Sequence, residues 1–128
     1  MLLQTHPALY VAESAQRGKG VFTTENLEAG WIIIEAPVVV MSAEEKRLLN
    51  QTALYYYIFD WENNQCAMAL GLIPIINHQL PSNCEYFQDY EHNMMYVKTV
   101  RPIAAGEEIF INYNGDFDNA KPLWFESV

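Results

Sequence analysis

The sequence predicts a single, mostly β domain with one or two short helices. Three observations predict it: the β-branched and aromatic runs are short, glycine and proline punctuate them, and only one stretch carries a helix entrance. With 128 residues and 51% apolar composition, the chain supports one compact core and leaves no room for a second folded domain. No repeat, low-complexity tract or linker divides residues 1–128.

Leu9 to Glu13 opens the β pattern, followed by Gly20-Val21-Phe22-Thr23 and by Trp31 to Val40, the last interrupted by Pro37. Ser42 then reads as an N-cap, with Glu45 three residues later as its capping-box partner and Leu48-Leu49 starting an apolar stripe. The helix is expected over about 43–60. Glu62-Asn63-Asn64-Gln65 makes a turn before Cys66-Ala67-Met68-Ala69-Leu70 enters the interior. Cys84 to Tyr90 and Met94 to Val100 form a hairpin about Glu91-His92-Asn93. Arg101 to Gly106 breaks the pattern, Glu107 to Tyr113 is a last short strand, and Asn114-Gly115-Asp116 ends it.

Composition excludes several classes. The longest apolar stretch, Cys66 to Ile76, contains Gly71 and Pro74 and falls short of the ~18–20 residues that span a bilayer. The first residues lack a basic cluster, an apolar run and a small-residue cleavage site, so the protein is expected in the cytoplasm, or in a host nucleus if it is a delivered effector. Cys66 and Cys84 are too few for a disulfide framework and lack metal-ligand spacing, so they read as buried thiols and no metal site is expected. Sixteen Asp and Glu against seven Lys and Arg give a net charge of −9. That field disfavours nucleic acid and suits a basic protein partner, although the same acidity also serves plain solubility.

Three separated pieces carry a sharper signal. They are Arg17-Gly18-Lys19-Gly20-Val21-Phe22, then Ile75-Ile76-Asn77-His78-Gln79-Leu80-Pro81-Ser82-Asn83-Cys84, and Ala104-Ala105-Gly106-Glu107-Glu108-Ile109-Phe110-Ile111-Asn112-Tyr113. In order and spacing they resemble the glycine-containing opening, the Asn-His segment and the Gly-Glu-Glu…Tyr terminus of the SET-domain family. The middle region is most similar to that family's compact viral and bacterial members, and the resemblance covers about residues 10–118, leaving a short tail at 119–128. Gln79 stands where the family has serine, Pro81 comes one residue early, and no cysteine-rich zinc segment follows Tyr113.

The resemblance implies a SET (β-clip-like) fold of small curved sheets with a C-terminal pseudoknot. It also implies transfer of a methyl group from S-adenosyl-L-methionine to the ε-amine of a lysine in a histone, a ribosomal protein or another basic protein. The alternative is a catalytically weak module of the same fold that binds a basic tail. Tyr113 matches the family's terminal catalytic tyrosine, Tyr57 a channel tyrosine with Tyr55 and Tyr56 as register neighbours, and Tyr86 a tyrosine that limits product methylation. Gly18, Lys19 and Gly20 would approach the methionine part of the cofactor, with Asn77 and His78 meeting its amino group and adenine. Trp124 would stack on the adenine, or equally clasp the C-terminus. Without an attached cap, the resemblance allows a homodimer. The oxygen-rich run from Asn112 to Asn119 lacks the glycine placement and terminal glutamate of a calcium loop and reads as a turn.

Overall fold

The structure, a computed structural model, describes residues 3–15 and 17–113. Among the described residues ten strands and one α-helix follow in order: β1 Gln4–Thr5, β2 Leu9–Ser14, β3 Gly18–Thr23, β4 Ile32–Met41, α1 Ala43–Leu49, β5 Phe59–Asp60, β6 Cys66–Ala69, β7 Asn77–His78, β8 Cys84–Asp89, β9 Met94–Thr99 and β10 Glu108–Ile111. The mostly β expectation holds. One sheet runs β5-β6-β4-β9-β8 with β1 beside β4, and the other runs β2-β3-β10-β7.

β4 is continuous through Pro37, contrary to the expected interruption. Its partners explain this: β9 pairs as far as Pro37↔Met94, and β6 takes over from Val38. A proline without an N–H is tolerated where one ladder gives way to another. The helix is also shorter than expected. Ser42 and Glu45 form the capping box, but α1 ends at Leu49. Thr52 stops it, because its hydroxyl donates to the Leu49 carbonyl and accepts from Leu54 N–H, starting a 3-10 turn over Ala53–Tyr56. A side chain that offers the backbone a local alternative ends a helix in this way. No helix among the described residues is long and apolar enough to cross a membrane.

The core lies between the sheets. Ile34, Ile73, Met95, Val97, Ile109 and Ile111 are fully buried in it, each contributing about 1.5–3 kcal/mol by leaving water. β10 occupies the middle of the second sheet, antiparallel to β3 and parallel to β7. The segment 77–83 wraps it. After β7, Gln79 N–H donates to Ile111 O, and the buried Asn83 side chain both donates to Glu108 O at 2.8 Å and accepts from Phe110 N–H at 2.7 Å. This enclosure of β10 is the observed form of the expected pseudoknot.

Both cysteines are free and buried. Burial pushes the Cys84 thiol up from 9.0 to about 12, against a smaller opposing pull from Arg101. The folded chain thus holds this proton more tightly than the unfolded chain does, so the thiol's contribution is intact below pH 9.0 and is lost as pH rises towards 12. Urea-unfolding free energy is expected to decline over that interval, and less steeply in Cys84→Ala. An unchanged slope in the variant would assign the decline to other groups.

Candidate active site

Three stretches distant in sequence meet where β10 ends. Tyr113 is the hub. Its N–H donates to His78 Nδ1 at 3.1 Å and its hydroxyl donates to Ile76 O at 2.8 Å. Its ring lies 5.2 Å from that of His78 and 6.4 Å from that of Phe59. Because His78 Nδ1 accepts a backbone proton, the neutral imidazole carries its own hydrogen on Nε2. Burial, followed by the neighbouring Tyr57, pushes the Tyr113 hydroxyl up to about 12. It is therefore a neutral phenol at physiological pH, with its only proton committed to Ile76.

A cleft of about 390 Å³ opens beside it, within the range of ligand sites. Arg17, Gly18, Lys19, Tyr57, Asn77 and Tyr113 line it. Next to the cleft lies a space of only about 10 Å³, whose walls include Phe59, Ile73 and Ile76 and which shares Tyr57, Pro74 and Tyr113 with the cleft. That is roughly the room of one water. A wide chamber thus adjoins a narrow, mostly apolar neck, with Tyr113 in the walls of both.

The chamber has the donor and acceptor set of an amino-acid recess. Asn77 spends its amide hydrogens on Lys19 O at 3.0 Å and Glu108 Oε2 at 2.8 Å, which leaves Oδ1 as the atom offered to a ligand cation. Gly18 has φ +74, and nothing lies within 4 Å of where its Cβ would be, so bare backbone faces open space. Arg17, whose guanidinium lies 5.2 Å over the Phe110 ring, supplies positive charge for a carboxylate, whereas the Lys19 ammonium is already paired with Glu13 at 2.7 Å. These residues fit the methionine end of S-adenosylmethionine.

The sequence-derived residues are distributed unequally. Gly18, Lys19, Asn77, Tyr57 and Tyr113 line the chamber. Gly20 lies behind it: a Cβ there would collide with the Glu108 carboxylate and sit 3.0 Å from Asn77 Nδ2. His78 supports Tyr113 from the side. Tyr86 packs 5.1 Å from Phe59 and donates its hydroxyl proton to Tyr113 O at 2.9 Å. Trp124 lies outside the described residues, as does the oxygen-rich run beyond Tyr113. Among the described residues no group of three His, Cys, Asp or Glu could hold a metal ion.

Sequence reasoning missed the structural role of Glu108. Its Oε1 accepts from Ser14 at 2.6 Å while Oε2 accepts from Asn77, so one carboxylate ties β2, β7 and β10 together against Gly20. Phe59 was missed too, because one more aromatic at the end of a tyrosine-rich expected helix carries no sign that it walls a neck.

Comparison with known proteins gives a consistent picture. The SET domain family model matches residues 18–114. The histone-lysine N-methyltransferase of Schizosaccharomyces pombe described as specific for H3 lysine-37 is 34% identical over 119 residues, covering 92% of this chain and 77% of that protein. A candidate histone methyltransferase of Plasmodium falciparum superposes with a TM-score of 0.64 at 26% identity, covering 86% of this chain and 94% of that one. A humanized mutant of the Chaetomium thermophilum Polycomb Repressive Complex 2, bound to an inhibitor, superposes with a TM-score of 0.72 at 25% identity over 90% of this chain and 16% of that one.

Proposed function

This chain belongs to the SET-domain family, and from that membership and its cleft we propose a protein-lysine N-methyltransferase that uses S-adenosyl-L-methionine and acts on a histone or a similarly basic protein. The observation that carries the reading is the chamber and neck meeting at Tyr113.

When bound, S-adenosylmethionine supplies a methyl group activated by a sulfonium centre. Asn77 Oδ1 and the backbone of Gly18 and Lys19 would hold its methionine end, with His78 and Trp124 proposed for the adenine side. The neck orients the incoming amine, and orientation is the main requirement of a direct displacement. It also desolvates it. An unperturbed lysine has a pKa of ~10.4, and the walls of Phe59, Ile73 and Ile76 favour the neutral amine that can attack.

Tyr113 contributes an oxygen whose proton is already spent on Ile76 O, so any further polar hydrogen meets a lone pair there. Tyr57 lines both spaces and helps close the junction. Tyr86 holds the Tyr113 carbonyl and so sets how much room remains for a methylated amine. The exposed rings of Tyr56 and Tyr57 offer a rim that a second copy would cover in a homodimer. Action in the cytoplasm, or in a host nucleus after delivery, remains part of the proposal.

The test is incubation with labelled S-adenosylmethionine and separated histones or cell lysate, then location of the modified residue by mass spectrometry. Label on a lysine supports the reading; no incorporation into any protein would favour the binding module. Cofactor binding is checked separately. At a hundredfold excess over Kd, S-adenosylhomocysteine should add about 2.7 kcal/mol to the folded state, and Asn77→Ala should remove most of the resulting Tm shift. An unchanged shift in a folded variant would take Asn77 out of the site.

A further inference from the structure

Beside the neck lies another cavity, of about 240 Å³, lined by Lys46, Asn50, Tyr55, Ile58 and Asp60. Ile58 belongs to the walls of both spaces, and the next residue, Phe59, is a wall of the neck. Asp60 is firmly mounted there. Its backbone pairs with Cys66 across β5 and β6, and its carbonyl accepts from Gln88 Nε2 at 2.7 Å. The carboxylate itself opens on solvent, with the side chain 81% exposed, and Lys46 Nζ touches Oδ1 at 2.9 Å. Lys46, only 24% exposed, thus holds an ammonium in a cavity adjoining the neck. The other cation of α1, Arg47, is already paired with Glu44.

Resting on the reading that the neck admits the target lysine, we propose that this cavity is a subsite for a second cation of the same substrate segment: an arginine close to that lysine. Asp60 reads the guanidinium, and Lys46 is an internal competitor that it displaces. Arginine suits the site better than lysine because its planar fork can engage both carboxylate oxygens, where Lys46 contacts one. An extended peptide advances about 3.3 Å per residue, so an arginine within a few positions of the lysine spans from the neck to this cavity. A chain of net charge −9 favours such a segment.

The experiment measures binding of fluorescent nine-residue alanine-serine peptides to the full chain by anisotropy, with no methyl donor present. Each peptide has a central lysine and a single arginine at one flanking position, and is compared with its citrulline twin, which keeps the shape and loses the charge. At one position arginine is expected to bind about fivefold tighter than citrulline. Asp60→Asn, with Asp60→Ser as a second exposed replacement, should abolish that preference, whereas Lys46→Met should enlarge it severalfold. A preference absent at every position, surviving both Asp60 variants, or unmoved by Lys46→Met would overturn the subsite. Arginine preference without methyl incorporation would sink the methyltransferase reading and leave the subsite standing; methylation without the preference would do the reverse.

Discussion

Tyr113→Phe is expected to lower turnover on the order of a hundredfold or more, the scale of losing one placed polar group at a reacting centre, while changing affinity for S-adenosylhomocysteine less than about twofold. Two losses combine. The oxygen at the junction of chamber and neck disappears, and the Ile76 carbonyl it held at 2.8 Å is left without that donor. Ring packing on His78 and Phe59 is retained by phenylalanine, so the fold and chamber survive. Single-turnover rates beside calorimetric binding separate the two readouts. With the hydroxyl pushed up to about 12, no falling limb from its ionisation should appear in the rate below pH 10. Full activity in the variant would shift the role to Tyr57.

The largest expected effect on stability comes from Asn83→Ala. This side chain, 2% exposed, answers Glu108 O and Phe110 N–H on the strand that carries the site. Its removal leaves two backbone groups unpaired, at about 1–3 kcal/mol each, and opens a small cavity besides. A total of about 3–5 kcal/mol is a large share of the 5–15 kcal/mol that holds a typical domain. The urea midpoint should fall accordingly or the soluble yield collapse. Asn83→Asp, which keeps the acceptor for Phe110 and loses the donor to Glu108, should lie between. A midpoint within experimental error of wild type would deny Asn83 its clamping role.

How much of this was legible in the sequence follows from the range of each signal. The Ser42–Glu45 capping box and the Cys84–Val100 hairpin are local, depend on neighbouring residues, and appear where expected. The helix end was misplaced because the tyrosine run after Thr52 reads as apolar helix, while the deciding bond from Thr52 to Leu49 concerns one hydroxyl rotor. Pro37 misled for a similar reason: a change of ladder partner has no trace in the residues around it. At the site, Asn77, His78 and Tyr113 were found through motif resemblance, which compresses long-range contact into recognisable residues. Glu108 escaped notice because a glutamate before an edge-like strand looks solvated until Ser14, 94 residues earlier, is brought against it.

The position of β10 has a consequence for how this protein comes into being. Chamber, neck and clamp all close on residues 108–113, yet their partners Gly20, Asn77 and Asn83 are translated well before that strand exists. During synthesis there is no stage at which part of the activity is present, because the earlier segments have nothing to assemble around. Among the described residues, competence waits on β10. A ribosome-stalled or truncated copy lacking it would be inert, and would also leave the open edges of β3 and β7 exposed to quality control.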